Sequence, residues 1–340
     1  PASRAWSSEA ILDDGTMIDA FLLLKDGTLK RSQDVEELFR LVEEAGDGWN
    51  LWLDLEAPHE EEFGLLTALF NLHPLALDAC FNQTHHSKVD DYDDHLYIIF
   101  NTPLWGEEDV RIKTSRLDCF LGPHFLVTHH LEPFPSIQEA KVRCLKREDA
   151  LSRGADYLLY MILAVLVDNY SPVLERIGDA VEAAEAEVLA KPKPSTLKRL
   201  FSLRKEVARL WQLVLRQKEI LLRLSGEEHS SIRREQAVYY RDAHGHLARV
   251  SDLMESHRDT IAGAVEAYTS LTSNRKNEVV RILTVLVILM FSLTLIAGIY
   301  GINPRFMPEL QSPYGHYAIL GFVAFIAISM LVFFRRKNRL

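Results

Sequence analysis

Cysteine is scarce in this chain: three in 340 residues, at Cys80, Cys119 and Cys144, with neither a CxxC pair nor zinc-finger spacing. An odd number cannot all pair within one chain, so they are expected to be reduced packing residues. Also missing are a Walker loop, the dinucleotide-binding glycine pattern, a GxSxG elbow and an HExxH helix. The usual signs of nucleotide coupling and covalent catalysis are therefore lacking, and neither an enzymatic activity nor a covalently bound cofactor is expected. The opening twenty residues hold no basic segment followed by an apolar run, so nothing there resembles a secretory signal. Positive charge is outnumbered, with 38 Lys/Arg against 48 Asp/Glu, and no nucleic-acid partner is expected.

The charge that is present is unevenly placed. From Arg275 onward there are eight Lys/Arg and two Asp/Glu, net +6 within an overall −10, which leaves −16 for residues 1–274. Two environments are implied, with the large acidic part in the cytosol.

Two long uncharged runs explain the second environment. Ile282 to Tyr300 is nineteen residues without a charge, which at helical rise spans roughly 29 Å, close to the ~30 Å hydrocarbon thickness of a bilayer. Tyr317 to Phe334 is eighteen uncharged residues, followed at once by Arg335, Arg336, Lys337 and Arg339. Both read as membrane crossings. Arg275, Lys276 and Arg281 precede the first and a basic cluster ends the second, whereas the loop between carries only Arg305. The positive-inside rule then puts both termini in the cytoplasm.

Stepping back from Gly298 in threes and fours gives Thr294, Phe291, Val287, Thr284, Val280 and Asn277, one seam along a helix. Hydroxyl and amide groups there can touch hydrated ions in a narrow aqueous path, while Phe291 and Val280 form constrictions that dewet. The alternative is that the hydroxyls bond back to carbonyls of their own helix. Two spans cannot enclose a pore, so passage through the membrane implies a homo-oligomer.

After the first span comes Tyr300-Gly301-Ile302-Asn303 and then Met307-Pro308-Glu309-Leu310. Gly301 and Pro304 end the helix, and an Asn303 from each subunit would present a ring of neutral carbonyl oxygens suited to an ion that keeps its waters, such as Mg2+. Here the chain resembles the CorA family of divalent cation channels, whose loop reads Tyr-Gly-Met-Asn and often continues Met-Pro-Glu-Leu. Zinc-transporting relatives of the ZntB type share that architecture. The likeness extends over HPLALD (His73 to Asp78), ADYLLY (Ala155 to Tyr160), YYRD (Tyr239 to Asp242), Ser273 to Glu278 and LIAGIYG (Leu295 to Gly301).

The resemblance implies a homopentamer in bacterial-type inner membrane, with a cytosolic funnel and the first transmembrane helix continuing inward as the stalk. It makes Asn303 and Gly301 the selectivity loop and places Asn277, Val280, Thr284, Phe291 and Thr294 along the path. Three positions depart from the family pattern: Ile302 stands for Met, Ser292 for Pro and Phe291 for a pore Met. In magnesium-regulated members the second of two acids after His-Pro-Leu binds a regulatory ion together with a stalk Asp. Asp78 and Asp252 match the first acid and the stalk acid, but the second acid is Ala79.

The expected fold is an α+β membrane protein. A cytosolic α/β domain occupies 1–153, a helical hairpin 154–231, a stalk helix 232–281 and a pore-lining span 282–300. A periplasmic loop follows at 301–316, then a second span at 317–334 and a basic tail at 335–340. A long helical segment through Leu189 should break at Lys191-Pro192-Lys193-Pro194, and a third segment starting near Ile232 should run into the membrane.

Other groups invite weaker readings. The stretch His85 to His95 gathers four Asp and three His but lacks metal-site spacing, and His129-His130, His244 and His246 are metal-capable. Glu175, Asp179, Glu182, Glu185 and Glu187 could concentrate cations or simply solvate a helix face. Three functions stay open: a channel for Mg2+ with Co2+ or Ni2+, a Zn2+ transporter with or without proton coupling, and a membrane-anchored metal sensor or scaffold. The divalent cation is cargo in the first two, and membrane lipid is a partner in all three.

Overall fold

A computed structural model describes residues 17–46, 48–58, 69–82, 86–105, 112–146, 149–226, 229–301 and 314–336. The chain divides into two units: 1–186 with 198–262, and 187–197 with 263–340.

The first unit is built on a seven-stranded sheet of order β2-β1-β3-β7-β6-β5-β4. The strands are β1 (Met17–Leu23), β2 (Leu29–Ser32), β3 (Asn50–Glu56), β4 (Lys88–Tyr92), β5 (His95–Trp105), β6 (Ile112–Leu121) and β7 (Phe125–His130). All neighbours are antiparallel except β3 and β7, which run parallel, with Leu53 opposite Val127 and Asp54 opposite Thr128. The sheet is thus a three-stranded antiparallel group, β2-β1-β3, and a four-strand meander joined along one parallel seam, where a run of βα repeats would have made it parallel throughout.

Period-two alternation decides which side chains meet which layer. Leu51, Leu53 and Leu55 join Ile18, Leu22, Ile99, Phe120 and Val127 in one core. That face is covered by Leu38 of α1 (Val35–Ala45) and by Ala76 and Cys80 of α2 (Pro74–Phe81). On the other face lie α3 (Pro135–Lys146), α4 (Asp149–Ser152) and α5 (Ala155–Asp168). α5 packs on β3, β6 and β7 and is apolar nearly all round, which suits a helix enclosed by sheet and helices. Between β6 and β7 the chain turns at Gly122, whose amide donates to the Phe125 carbonyl at 2.9 Å. A Cβ at Gly122 would lie 2.2 Å from the Phe125 ring, so this turn admits no side chain.

The helices that follow are α6 (Tyr170–Ala190), α7 (Pro194–Gly226), α8 (Ala237–Gly301) and α9 (Gly315–Arg336). The segment expected to run unbroken to Leu189 is two helices, parted at Asn169. Pro172 has no N–H to give the carbonyl of Asp168, so the ladder stops there. The break at Lys191 to Lys193 is present. α8 starts at Ala237, five residues after Ile232, because Arg233 is tied by its backbone and guanidinium to Asp156 at the start of α5.

The helix run Ala155–Ala190 is long and apolar enough to cross a bilayer, but 61% of its most apolar window is buried, which marks a core helix; the corresponding window of α8 is 6% buried. That difference separates protein interior from a surface that needs another apolar medium.

Candidate functional site

α8 is one helix of 65 residues, about 98 Å at 1.5 Å per residue. Its last part carries the uncharged run, and its seam residues Asn277, Val280, Thr284, Val287, Phe291, Thr294 and Gly298 are all exposed on the single chain. Exposure does not single that face out, since Leu283, Leu286, Met290 and Leu295 are as open. In the described stretch 279–336 the buried apolar side chains are Val285 and Phe334. On the seam the Thr284 hydroxyl donates to the Val280 carbonyl at 2.8 Å and that of Thr294 to the Met290 carbonyl at 2.7 Å. Ser292, off the seam, does the same to Ile288 at 2.8 Å. Each hydroxyl proton is used within its helix, leaving oxygen lone pairs as the groups that can face an ion or its water. Gly301 is the last residue of α8, and Asn303 lies outside the described residues.

The HPLALD string forms the start of α2. His73 is its N-cap, with Nδ1 accepting from the Leu75 amide at 3.2 Å, and Pro74 occupies the first turn where no N–H is required. Asp78 sits on the exposed side of α2, its carboxylate accepting from the Asn82 side chain at 2.7 Å. Asp252 is exposed on α8. Neither belongs to a group of three or more metal-capable side chains among the described residues.

The acidic and histidine-rich stretch is the β4–β5 hairpin, and its charges face different partners. Asp90 meets Lys88 at 2.6 Å, Asp91 meets His229 at 2.7 Å and Asp94 accepts from Asn71 at 3.0 Å. His85 lies outside the described residues. On α8, burial and the charge of Lys218 lower the pKa of His244, while His246 lies 3.7 Å from Asp242 and 3.9 Å from Asp168. The carboxylates of α6 are exposed except Glu185, which is half-buried.

His129 and His130, adjacent in sequence, point to opposite faces of β7. On the α3 side His130 Nε2 donates to the Asp54 carboxylate at 3.3 Å, and that carboxylate also takes the Thr128 hydroxyl at 2.5 Å and Lys141 at 2.7 Å. Lys141 reaches Asp19 at 3.3 Å, and Arg31 closes that chain at 2.7 Å. Burial pushes the Asp54 carboxyl up, but the hydrogen bond and charge of His130 and the charge of Lys141 outweigh it and hold the pKa below the ordinary value.

On the α2 side a second buried group forms. Asp118 and His129 are register partners on β6 and β7, and Cys80 comes down from α2. The Cys80 sulfur is 3.1 Å from His129 Nδ1, and that nitrogen is 3.4 Å from Asp118 Oδ2. Tyr97 donates to Asp118 Oδ1 at 2.6 Å, and Arg116 meets the same oxygen at 2.6 Å and the Ala79 carbonyl at 2.9 Å. Burial, and then the Asp118 charge, push the Cys80 thiol well up, so it is a neutral thiol here. Cys144 is pushed up to about 12 by burial alone. All three cysteines are free and buried. Cys80 is the reduced, packed residue expected from the sequence, but nothing in the spacing of residues 80, 118 and 129 announces this group.

The remaining family-like strings, ADYLLY and YYRD, pack on each other. The Tyr240 hydroxyl donates to the Asp156 carbonyl at 2.6 Å, and the Tyr239 ring meets that of Tyr157 edge-on at 5.3 Å and that of Tyr160 tilted at 5.1 Å. They fasten the first turn of α5 to the first turn of α8.

Known proteins share this arrangement. The sequence profile of the CorA-like Mg2+ transporter protein family matches residues 48–336. YfjQ of Bacillus subtilis is 33% identical over 87% of this chain and 92% of its own. The cobalt/magnesium transport protein CorA of Thermotoga maritima is 29% identical over 84% of this chain and 82% of its own. The complete structure of the CorA magnesium transporter from Methanocaldococcus jannaschii superposes with a TM-score of 0.82 at 20% identity, covering 95% of this chain and 99% of that one. The fold is therefore CorA-like, and with a profile matched from the third strand to the end of the last apolar helix, the chain belongs to the CorA-like Mg2+ transporter family.

Proposed function

We propose that this chain assembles as a homopentamer in the inner membrane and passes Mg2+, with Co2+ and Ni2+ as further cargo, along an axis lined by α8. One observation carries the reading: the apolar end of α8 is almost wholly uncovered, yet it bears hydroxyl and amide groups at helical spacing and leads into the Gly301-Ile302-Asn303 loop. Apolar flanks of α8 and α9 face lipid or neighbouring subunits, and the Thr and Asn seam faces the axis. Arg275, Lys276, Arg281, Arg335 and Arg336 hold both helix ends at the cytoplasmic surface. The work of transport comes from the ion gradient and membrane potential, the latter worth ~2.3 kcal/mol per charge per 100 mV. Asn303 supplies the amide ring that holds a hydrated ion at the mouth, and Asp78 and Asp252 are the acids available for a regulatory ion between subunits.

The test is a flux panel of Mg2+, Co2+, Ni2+ and Zn2+ on reconstituted protein and its Asn303→Ala variant. Mg2+ flux that collapses in the variant supports the reading, and Mg2+ flux indifferent to the substitution overturns it. Flux of Zn2+ alone selects the zinc transporter. Metal binding with no flux of any ion selects the sensor.

A further inference from the structure

We propose that Cys80, Asp118 and His129 form a resident site for a thiophilic divalent cation, Zn2+ or Co2+, inside the cytosolic sheet domain and separate from the conducting path. Their three donor atoms lie within 4.8 Å of one another, and each side chain is buried. Zn2+ binds sulfur at ~2.3 Å and nitrogen or oxygen at ~2.0–2.2 Å, so two ligands of a tetrahedral ion sit roughly 3.3–3.6 Å apart. The nitrogen–oxygen separation of 3.4 Å fits that range, the sulfur and nitrogen at 3.1 Å would part by a few tenths of an ångström, and the sulfur–oxygen separation is within 4.8 Å.

The surroundings fix the ligands. Strand register sets Asp118 opposite His129, and Tyr97 with Arg116 holds the Asp118 Oδ1 so that Oδ2 is turned to the histidine. Such support of a carboxylate ligand through its other oxygen is the usual means of aiming it. Three protein ligands leave a fourth position for a small exogenous donor. A thiol and an imidazole in the donor set disfavour Mg2+, which takes oxygen ligands, and select a borderline ion. As the metal–sulfur bond forms, the Cys80 proton leaves to buffer. The bound ion then ties α2, two residues beyond Asp78, to β6 and β7, so occupancy by a thiophilic ion sets the position of the helix that carries Asp78.

The pore-bearing part of the chain contains no cysteine, since all three lie between residues 80 and 144. Cobalt in the conducting path therefore gives no thiolate signal, and the outcome is independent of whether the protein transports. Full-length protein in detergent, stripped with chelator, is titrated with Co2+ alone and followed by near-ultraviolet absorption. A thiolate-to-cobalt charge-transfer band that saturates at one ion per chain, survives Cys144→Ser, disappears in Cys80→Ser and His129→Gln, and is displaced by Zn2+ but not by excess Mg2+ is expected. No band in the unmodified protein, a band that persists in Cys80→Ser, or displacement by Mg2+ overturns the proposal. Should Cys80→Ser fail to fold, X-ray absorption of the Zn2+-loaded unmodified protein and of Cys144→Ser decides: one sulfur at the thiolate distance of ~2.3 Å in both supports the site, and none overturns it.

Discussion

Arg233 and Asp156 form the tie between the start of α5 and the turn that leads into α8: the guanidinium meets one carboxylate oxygen at 2.6 Å and the other at 2.9 Å, and the Arg233 amide adds a third bond at 3.0 Å. Asp156 is buried, whereas the Arg233 side chain is half exposed. Arg233 also bonds the Arg153 carbonyl. The pair sets where α8 begins, which is why the helix starts later than its composition suggests.

Removing the arginine leaves a buried carboxylate with its best partner gone. Arg233→Ala is expected to destabilise the cytosolic unit by about 2–3 kcal/mol, the worth of hydrogen bonds to a charged group in a partly solvated setting. Thermal unfolding of the purified protein reads this as a lower midpoint. Adding Asp156→Asn to the arginine variant should cost less than the sum of the single changes, since the two groups share one interaction.

Acid stability should depend on Asp54. Its folded-state pKa lies below the ordinary 3.8, so its contribution is fully present above that value and is lost as pH falls through the folded value. In a series of midpoints from neutral to acid pH, Asp54→Asn should lie lower than the unmodified protein at neutral pH and fall less steeply on the acid limb. Parallel curves would show that the Asp54 carboxylate contributes no such linkage.

The seam hydroxyls should matter for ions and not for folding. Thr284→Val and Thr294→Val replace a hydroxyl by a methyl of similar size and release bonds made only to the residue's own helix, so stability should move by no more than ~0.5 kcal/mol. Divalent flux in proteoliposomes should nonetheless fall, and Ser292→Ala, off the seam, should leave it near the unmodified level. Equal losses at all three positions would place the path elsewhere on α8.

A relaxed constriction is the matching gain-of-flux prediction. Phe291 is among the most exposed apolar side chains of α8, and as a dewetting ring its loss should raise leak. Phe291→Ala is expected to increase resting Mg2+ flux with little change in thermal midpoint.

What could be read from residue order alone follows from the range of the forces involved. The uncharged runs from Ile282 and Tyr317 are local and long, so composition suffices to find them, and the Pro192-Lys193-Pro194 break is local chemistry as well. The weak helix formers Asp168-Asn169-Tyr170-Ser171 before Pro172 mark the parting at Asn169, but an apolar pattern that continues on either side masks it. The late start of α8 depends on Asp156, nearly eighty residues upstream in the chain. The acids of the β4–β5 hairpin looked like one cluster in sequence, but strand alternation sends Asp90 and Asp91 to opposite faces. Conversely Cys80, Asp118 and His129 look unrelated until the β6–β7 register and the placement of α2 bring them together. Asn303 is legible only as part of a sequence motif, since it lies outside the described residues.

The single parallel seam between β3 and β7 also orders events during synthesis. β3 has no partner on its β7 side until His130 has left the ribosome, because the other three strands of the meander come between them in the chain. Once β7 docks, the sheet is complete while the apolar part of α8, from Ile282 on, has yet to be made. Non-local pairing of this kind is slow to close, and chains emerge at about 5–20 residues per second, so translation itself grants the domain several seconds before any greasy segment appears. All seven strands thus precede the apolar helices in the chain, an order that favours closing the sheet before hydrophobic segments can compete for its unpaired strands.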